Sequence, residues 1–223
     1  MSLAERRPYR LFTYWRSSSA WRIRIVLAWK GLPWDACCVD LGRPDGEQNE
    51  PEYRAVNPAG RLPTLAWTDA GGQERALAQS MAIFEYLEAE HPAPPLLPQD
   101  PWLRARTREL ALTLVADTQP LQNSRVLKDL KARGVDEQDW ARKVIAEGLA
   151  AVEARSRETA ATFLVGEAPT WADVCLVPQL YNARRFGLDL SPYDTLLRVE
   201  RACQVLPAFV TSEPHVQPDA PRA

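Results

Sequence analysis

The spacing of apolar residues changes character near residue 91. Before it, short runs with two-residue alternation trade places with runs spaced every three to four. After it, nearly every run has helical spacing. Residues 9–14 (YRLFTY) predict a strand. Residues 23–29 predict a helix, opened by Ser17, Ser18 and Ser19 and stopped by Gly31. Residues 34–41 (WDACCVDL) predict a second strand, and the polar stretch 42–52 a loop. Residues 62–67 and 74–78 flank DAGG at 69–72, which has hairpin-turn chemistry. Ser80 then opens a helix with Met81, Phe84 and Leu87 on one face. The order β-α-β-loop-β-β-α describes a small α/β domain over residues 1–90.

Residues 91–101 (HPAPPLLPQDP) hold five prolines, so neither a helix nor a central strand runs through them, and they read as a linker. Residues 102–223 read as an all-helical domain. Residues 102–130 and 136–158 carry helical periodicity, the first kinked or divided at Pro120. Thr170 and Asp173 have capping-box spacing ahead of 174–180, which is apolar on most sides and predicts a buried helix. Residues 194–206 predict a last helix, followed by a proline-bearing tail at 212–223. The fold class is therefore α/β plus all-α in two domains.

Composition narrows the function classes. A chain of 223 residues with 46% hydrophobic and 25% charged positions buries a real core. Its net charge of −2 argues against a broad nucleic-acid or anionic-membrane surface. No apolar run approaches the ~20 residues of a membrane helix, and no apolar segment follows the charged N-terminus as in a signal peptide. A cytoplasmic protein is the expectation. Cys37, Cys38, Cys175 and Cys203 have no metal-ligand spacing; they read as reduced, with Cys37 and Cys38 packed, and no metal site is expected. The two histidines, His91 and His215, stand in proline-bounded loops, and GxSxG, P-loop, HExxH and GxGxxG motifs are absent. A chain so poor in nucleophiles would be served by a borrowed one, such as a bound thiol.

Three segments could hold it. Ser17, Ser18 and Ser19 stand at a helix start between Arg16 and Arg22. Each serine can simply cap the helix; alternatively one hydroxyl donates to a thiolate at the positive end of the helix dipole. In NPAGRLPTL (57–65), Pro63 leads into a strand; a cis bond there would turn the Leu62 backbone outward for a peptide ligand. Gln79 and Ser80 either cap the next helix or hold a carboxylate with its open N–H groups.

These segments carry a resemblance. YWRSSSAWRIRIVLAWKG (14–31), NPAGRLPTL (57–65), QSMAIFEYLE (79–88), PLLPQDP (95–101), QPLQN (119–123) and VGEAPTWADVCLVPQLYNARRFGLDLSPY (165–193) occur in an order that resembles the zeta class of glutathione transferases. The likeness runs from about Tyr9 to QPDAP at 217–221. It implies a glutathione transferase fold: a thioredoxin-like N-terminal domain with a cis-proline and a helical C-terminal domain. It also implies a homodimer, glutathione as cofactor, and isomerisation of a small acidic substrate resembling maleylacetoacetate. Ser17 matches the serine on the glutathione sulfur, with Ser18, Ser19 and Arg22 beside it. Gln48, Leu62, Pro63, Gln79 and Ser80 match positions that hold the cofactor's backbone and carboxylates. Gln119, Asn123 and Ser124 match its helical-domain side. Arg16 and Arg185 fall to the substrate. Ser19 stands where the family often has cysteine. Alternatives are maleylpyruvate isomerisation, a general transferase or dehalogenase of small halogenated acids, and a non-catalytic glutathione-fold binding protein.

Overall fold

The computed structural model of the chain describes residues 9–221. They form two compact units, residues 9–94 together with 207–221, and residues 95–206.

The first unit runs β1 (Tyr9–Thr13), α1 (Ser18–Trp29), β2 (Trp34–Cys38), α2 (Pro51–Val56), β3 (Thr64–Thr68), β4 (Glu74–Ala78) and α3 (Ser80–Glu90). The sheet order is β2-β1-β3-β4; β1 and β2 are parallel, and the other pairings are antiparallel. This is the arrangement expected of a thioredoxin-like domain. Helix α1 forms the parallel crossover. Ile23, Ile25, Val26 and Leu27 on it are wholly buried, each contributing roughly 1.5–3 kcal/mol. The β3–β4 hairpin turns where expected: Asp69 Oδ1 accepts from the N–H groups of Gly71 and Gln73.

Three features of this unit differ from expectation. The stretch expected as loop, 42–52, contains a 3-10 turn, Glu47–Asn49, and the start of helix α2, which continues to Val56. With Tyr53 its sole buried residue, α2 has no periodicity to detect. Strand β2 stops at Cys38, which is exposed rather than packed, because β2 is an edge strand. Finally, the tail assigned by sequence to the helical domain belongs here: α9 (Pro207–Val210) packs on α1.

The second unit consists of α4 (Pro101–Leu112), α5 (Ser124–Ala132), α6 (Glu137–Ser156), α7 (Trp171–Arg185) and α8 (Asp194–Cys203). The run expected to divide at Pro120 does so: a π-helical turn, Thr113–Thr118, and a 3-10 turn, Gln119–Gln122, separate α4 from α5. Helix α7 is the core, buried along most of its length, and it carries Pro178 inside it. Its capping box is complete. The Asp173 carboxylate accepts from Thr170 N (2.7 Å), Thr170 Oγ1 (2.8 Å) and Leu164 N (2.8 Å). The proline-rich segment is more than a linker. Leu96 and Leu97 are buried, and Leu96 O accepts the Trp171 N–H at 3.1 Å.

Candidate active site

Strand register gathers the sequence candidates of the first unit at one end of the sheet. Thr13, the last residue of β1, pairs with Cys38 at the end of β2. Phe12 pairs with Thr64 at the start of β3, and Thr64 with Ala78 at the end of β4. Four segments therefore issue from the same edge: the loop into α1 with Ser17, the loop 39–50 with Gln48, the turn at Leu62 and Pro63, and Gln79 with Ser80. That edge lies beyond the carboxyl ends of the parallel strands, where open α/β sheets bind ligands.

Ser17 is the N-cap of α1, its Oγ accepting the Ala20 N–H at 3.2 Å. The capping and functional roles are compatible, because a hydroxyl that accepts one bond keeps its proton to donate. That proton has no acceptor among the described residues. Ser18 is buried, and Ser19 Oγ accepts from Arg22 Nη2 at 2.6 Å. Arg22 is thus a buried neighbour of Ser19 rather than a solvated flank, whereas exposed Arg16 lies 5.2 Å over the Trp15 ring.

The Leu62–Pro63 bond is cis, as expected, and the Leu62 N–H and C=O have no hydrogen-bond partner among the described residues. The turn is held from behind: Arg61 O accepts from Tyr53 Oη (2.5 Å) and Asn57 Nδ2 (2.8 Å), both of which also bond Thr64 Oγ1. Gly60, at φ +59°, brings its backbone so close to Gln48 that a Cβ would stand 2.8 Å from the Gln48 carbonyl oxygen. Gln48 Oε1 is buried without a partner.

The start of α3 departs in detail from expectation. The N-cap is Gln79 at φ 72°, and Ser80 is the first helical residue. A left-handed conformation is uncommon outside glycine and costs of order 1–3 kcal/mol. Here no side chain caps the helix, so its first N–H groups stay open beside the buried Ser80. They suit a carboxylate.

A shallow cavity beside β2 is a poor rival. Glu47, Glu50 and Glu52 line it with Cys37 and Cys38, and like charge repels an acidic ligand. Partial burial, joined at the otherwise exposed Cys38 by the nearby Asp219 carboxylate, pushes both thiols above their ordinary range, so neither is an activated nucleophile.

The second unit holds the remaining candidates. Asn123 caps α5 by accepting the Arg125 N–H at 3.1 Å, with Gln119 just before it and Ser124 exposed just after. The neighbouring Gln122 donates to Gln179 of α7 at 2.7 Å. In the last turn of α7, Arg184 is engaged in a two-pronged ion pair with Glu200. Arg185 is exposed, its guanidinium 4.6 Å over the Phe186 ring. Sequence reasoning passed over Tyr53 and Arg24, and gave Asn57 no role of its own, yet these residues shape the site from behind. An arginine inside the apolar run of α1 was the available signal for Arg24.

Family models for the glutathione S-transferase N-terminal and C-terminal domains match residues 16–90 and 67–202. Maleylacetoacetate isomerase of Pseudomonas aeruginosa is 44% identical over 217 residues, covering 96% of this chain and 100% of that protein. Maleylacetoacetate isomerase of Anaeromyxobacter dehalogenans, solved with glutathione in its active site, superposes with a TM-score of 0.89 at 51% identity, covering 96% of this chain and 98% of that one. A bacterial maleyl pyruvate isomerase of the zeta class gives 0.88 at 38% identity, covering 95% and 100%. With its serine-capped α1, cis-Pro63 and open α3 terminus in the expected places, the chain belongs to the glutathione S-transferase family, in its zeta class.

Proposed function

We propose that this protein is a glutathione-dependent cis–trans isomerase of a maleyl keto acid, acting on maleylacetoacetate in aromatic amino-acid breakdown. The observation that carries this reading is Ser17, whose oxygen caps α1 while its proton is left for an external acceptor. The first unit fits the cofactor. The open Leu62 backbone, the uncapped α3 start and the unpartnered Gln48 Oε1 are polar groups that a tripeptide with a thiol and terminal carboxylates would fill. When bound, glutathione supplies a thiol whose anion adds reversibly to an electron-poor cis double bond and frees it to rotate.

The chain's own residues bind, orient and stabilise charge. Ser17 and the α1 N-terminus favour the anionic form of the sulfur. Leu62, held by cis-Pro63, pairs with the peptide backbone of the cofactor; Gln48, Gln79 and Ser80 hold its polar ends. Arg22, which donates to Ser19 Oγ at the start of α1, steadies negative charge developing on the substrate oxygen. From the second unit we assign Gln119, Asn123 and Ser124 to the cofactor and Arg185, with Arg16 of the first unit, to the acidic substrate. The support is the match of their motifs. We further infer a cytoplasmic homodimer. Unpaired cysteines fit a reducing compartment, no helix of the described chain is long and apolar enough to cross a membrane, and the dimer rests on family resemblance. Sedimentation equilibrium should give twice 25.1 kDa; a monomer mass at micromolar protein would refute the dimer.

A second reading, maleylpyruvate as substrate, is favoured by the 38%-identical neighbour of that name. Assays with each acid, with and without glutathione, decide. Isomerisation of maleylacetoacetate that requires glutathione is expected. Turnover independent of glutathione, or none with either acid, would overturn the proposal.

A further inference from the structure

Arg24 lies inside apolar α1 with none of its side chain exposed to solvent. Its Nη1 donates to Thr13 Oγ1 (3.0 Å) and Tyr14 O (3.4 Å), its Nη2 to Trp15 O (2.9 Å), and its Nε to Ser212 O (3.1 Å) in the C-terminal tail. A buried cation persists only with such acceptors and an opposite charge nearby. Burial lowers the Arg24 pKa to about 10, and Asp219 pulls it back up. The same Asp219 accepts the Trp15 N–H through Oδ2 at 2.8 Å. Residue 15 is therefore gripped at both backbone ends, its carbonyl by Arg24 and its N–H by Asp219. The grip reaches Ser17 directly, because Tyr14 O, one of the Arg24 acceptors, also accepts the Ser17 N–H at 2.9 Å.

We propose that Arg24 and Asp219 are positioning residues that hold the β1–α1 loop from two sides and so set the place of the Ser17 hydroxyl, which makes the C-terminal tail a working part of the site. The proposal rests on the reading of Ser17 given above. Neither residue touches the reacting atoms. Both act through the backbone of residues 13–17, where displacement by a fraction of an ångström degrades an aligned hydrogen bond.

The test uses the full chain with glutathione bound and follows the thiolate by its ultraviolet absorbance. Asp219→Ala removes the acceptor of the Trp15 N–H; Asp219→Glu keeps the charge but moves it by one methylene; Asp219→Asn keeps an oxygen in place. Ser17→Ala is the reference. The expected result is a thiol titration shifted to higher pH in Asp219→Ala and Asp219→Glu, with kcat/KM reduced roughly 10- to 100-fold, and substantial recovery in Asp219→Asn. A purely structural role would lower the melting temperature of all three and leave the titration in place. An unshifted titration in Asp219→Ala beside a shifted one in Ser17→Ala overturns the positioning role and leaves the Ser17 reading standing. No shift in Ser17→Ala removes both. If Asp219→Ala does not fold, Asp219→Glu decides by the same criterion.

Discussion

In the proposed reaction Ser17 serves a helix and a ligand with one oxygen. The Ala20 N–H takes a lone pair and leaves the proton, so replacement by alanine has two separable effects. Loss of the cap costs about 1 kcal/mol of stability. Loss of a hydrogen bond to a charged sulfur costs about 1.5–3 kcal/mol, or roughly 10- to 150-fold in rate. Ser17→Ala should therefore melt lower and titrate its bound thiol at higher pH; an unshifted titration would leave capping as the whole role. Arg185 should behave differently. Its Leu variant should raise KM for the acid substrate and leave glutathione affinity and thiol titration unchanged. A change in glutathione affinity would move Arg185 to the cofactor, and no change at all would make it a surface charge. The place of Ser17 before α1 was legible in sequence, because a serine ahead of an apolar-periodic run is a local signal, and Arg185 was singled out by its motif. Arg24 was not, since its value depends on Ser212 and Asp219, far away in the chain.

Among the elements, those with a strong period or explicit stop signals were legible: α1 with Gly31, the β3–β4 hairpin, the break at Pro120 and the capping box of α7. Helix α2 was not, being six residues long with one buried side chain. Nor was the π-helical turn 113–118, whose packing involves a glycine on another helix. Thr118 Oγ1 bonds Thr113 O at 2.8 Å and lies against Gly148 of α6, where a Cβ would come within 2.0 Å of that oxygen. The glycine thus permits the close approach of α6 to the turn. Gly148→Ala should cost about 1–3 kcal/mol by overpacking, measured as a shift in urea midpoint. Thr118→Ala in the same chain should relieve most of that cost. Additive losses in the double variant would show that the two sites are independent.

At the scale of the whole molecule, sequence showed two units and missed how the chain ends. The tail returns to the first unit because Phe209 is buried there, Ser212 O accepts from Arg24 and Asp219 accepts from the Trp15 N–H, a pairing that no spacing rule encodes. Global stability carries a further signature, that of Asp173. Burial raises its carboxyl from 3.8 to about 6, although Leu164 and Thr170 hydrogen bonds pull it down. The folded state then binds the proton more tightly than the unfolded one. Stability from this group is greatest below about pH 4 and declines as pH rises to about 6, by roughly 1.4 kcal/mol per unit at most, and is level above. Other carboxylates titrate in the same range, so the wild-type curve alone does not isolate it. The difference between wild type and Asp173→Asn does, because asparagine keeps the shape and one acceptor and cannot titrate. In urea melts that difference should favour the wild type most at the acid end, shrink by about 2–3 kcal/mol between pH 4 and 6.5, and stay flat to pH 8. A difference constant across the range would mean that the three hydrogen bonds hold the Asp173 carboxyl at an ordinary pKa, and that the buried capping box of α7 carries its charge without penalty.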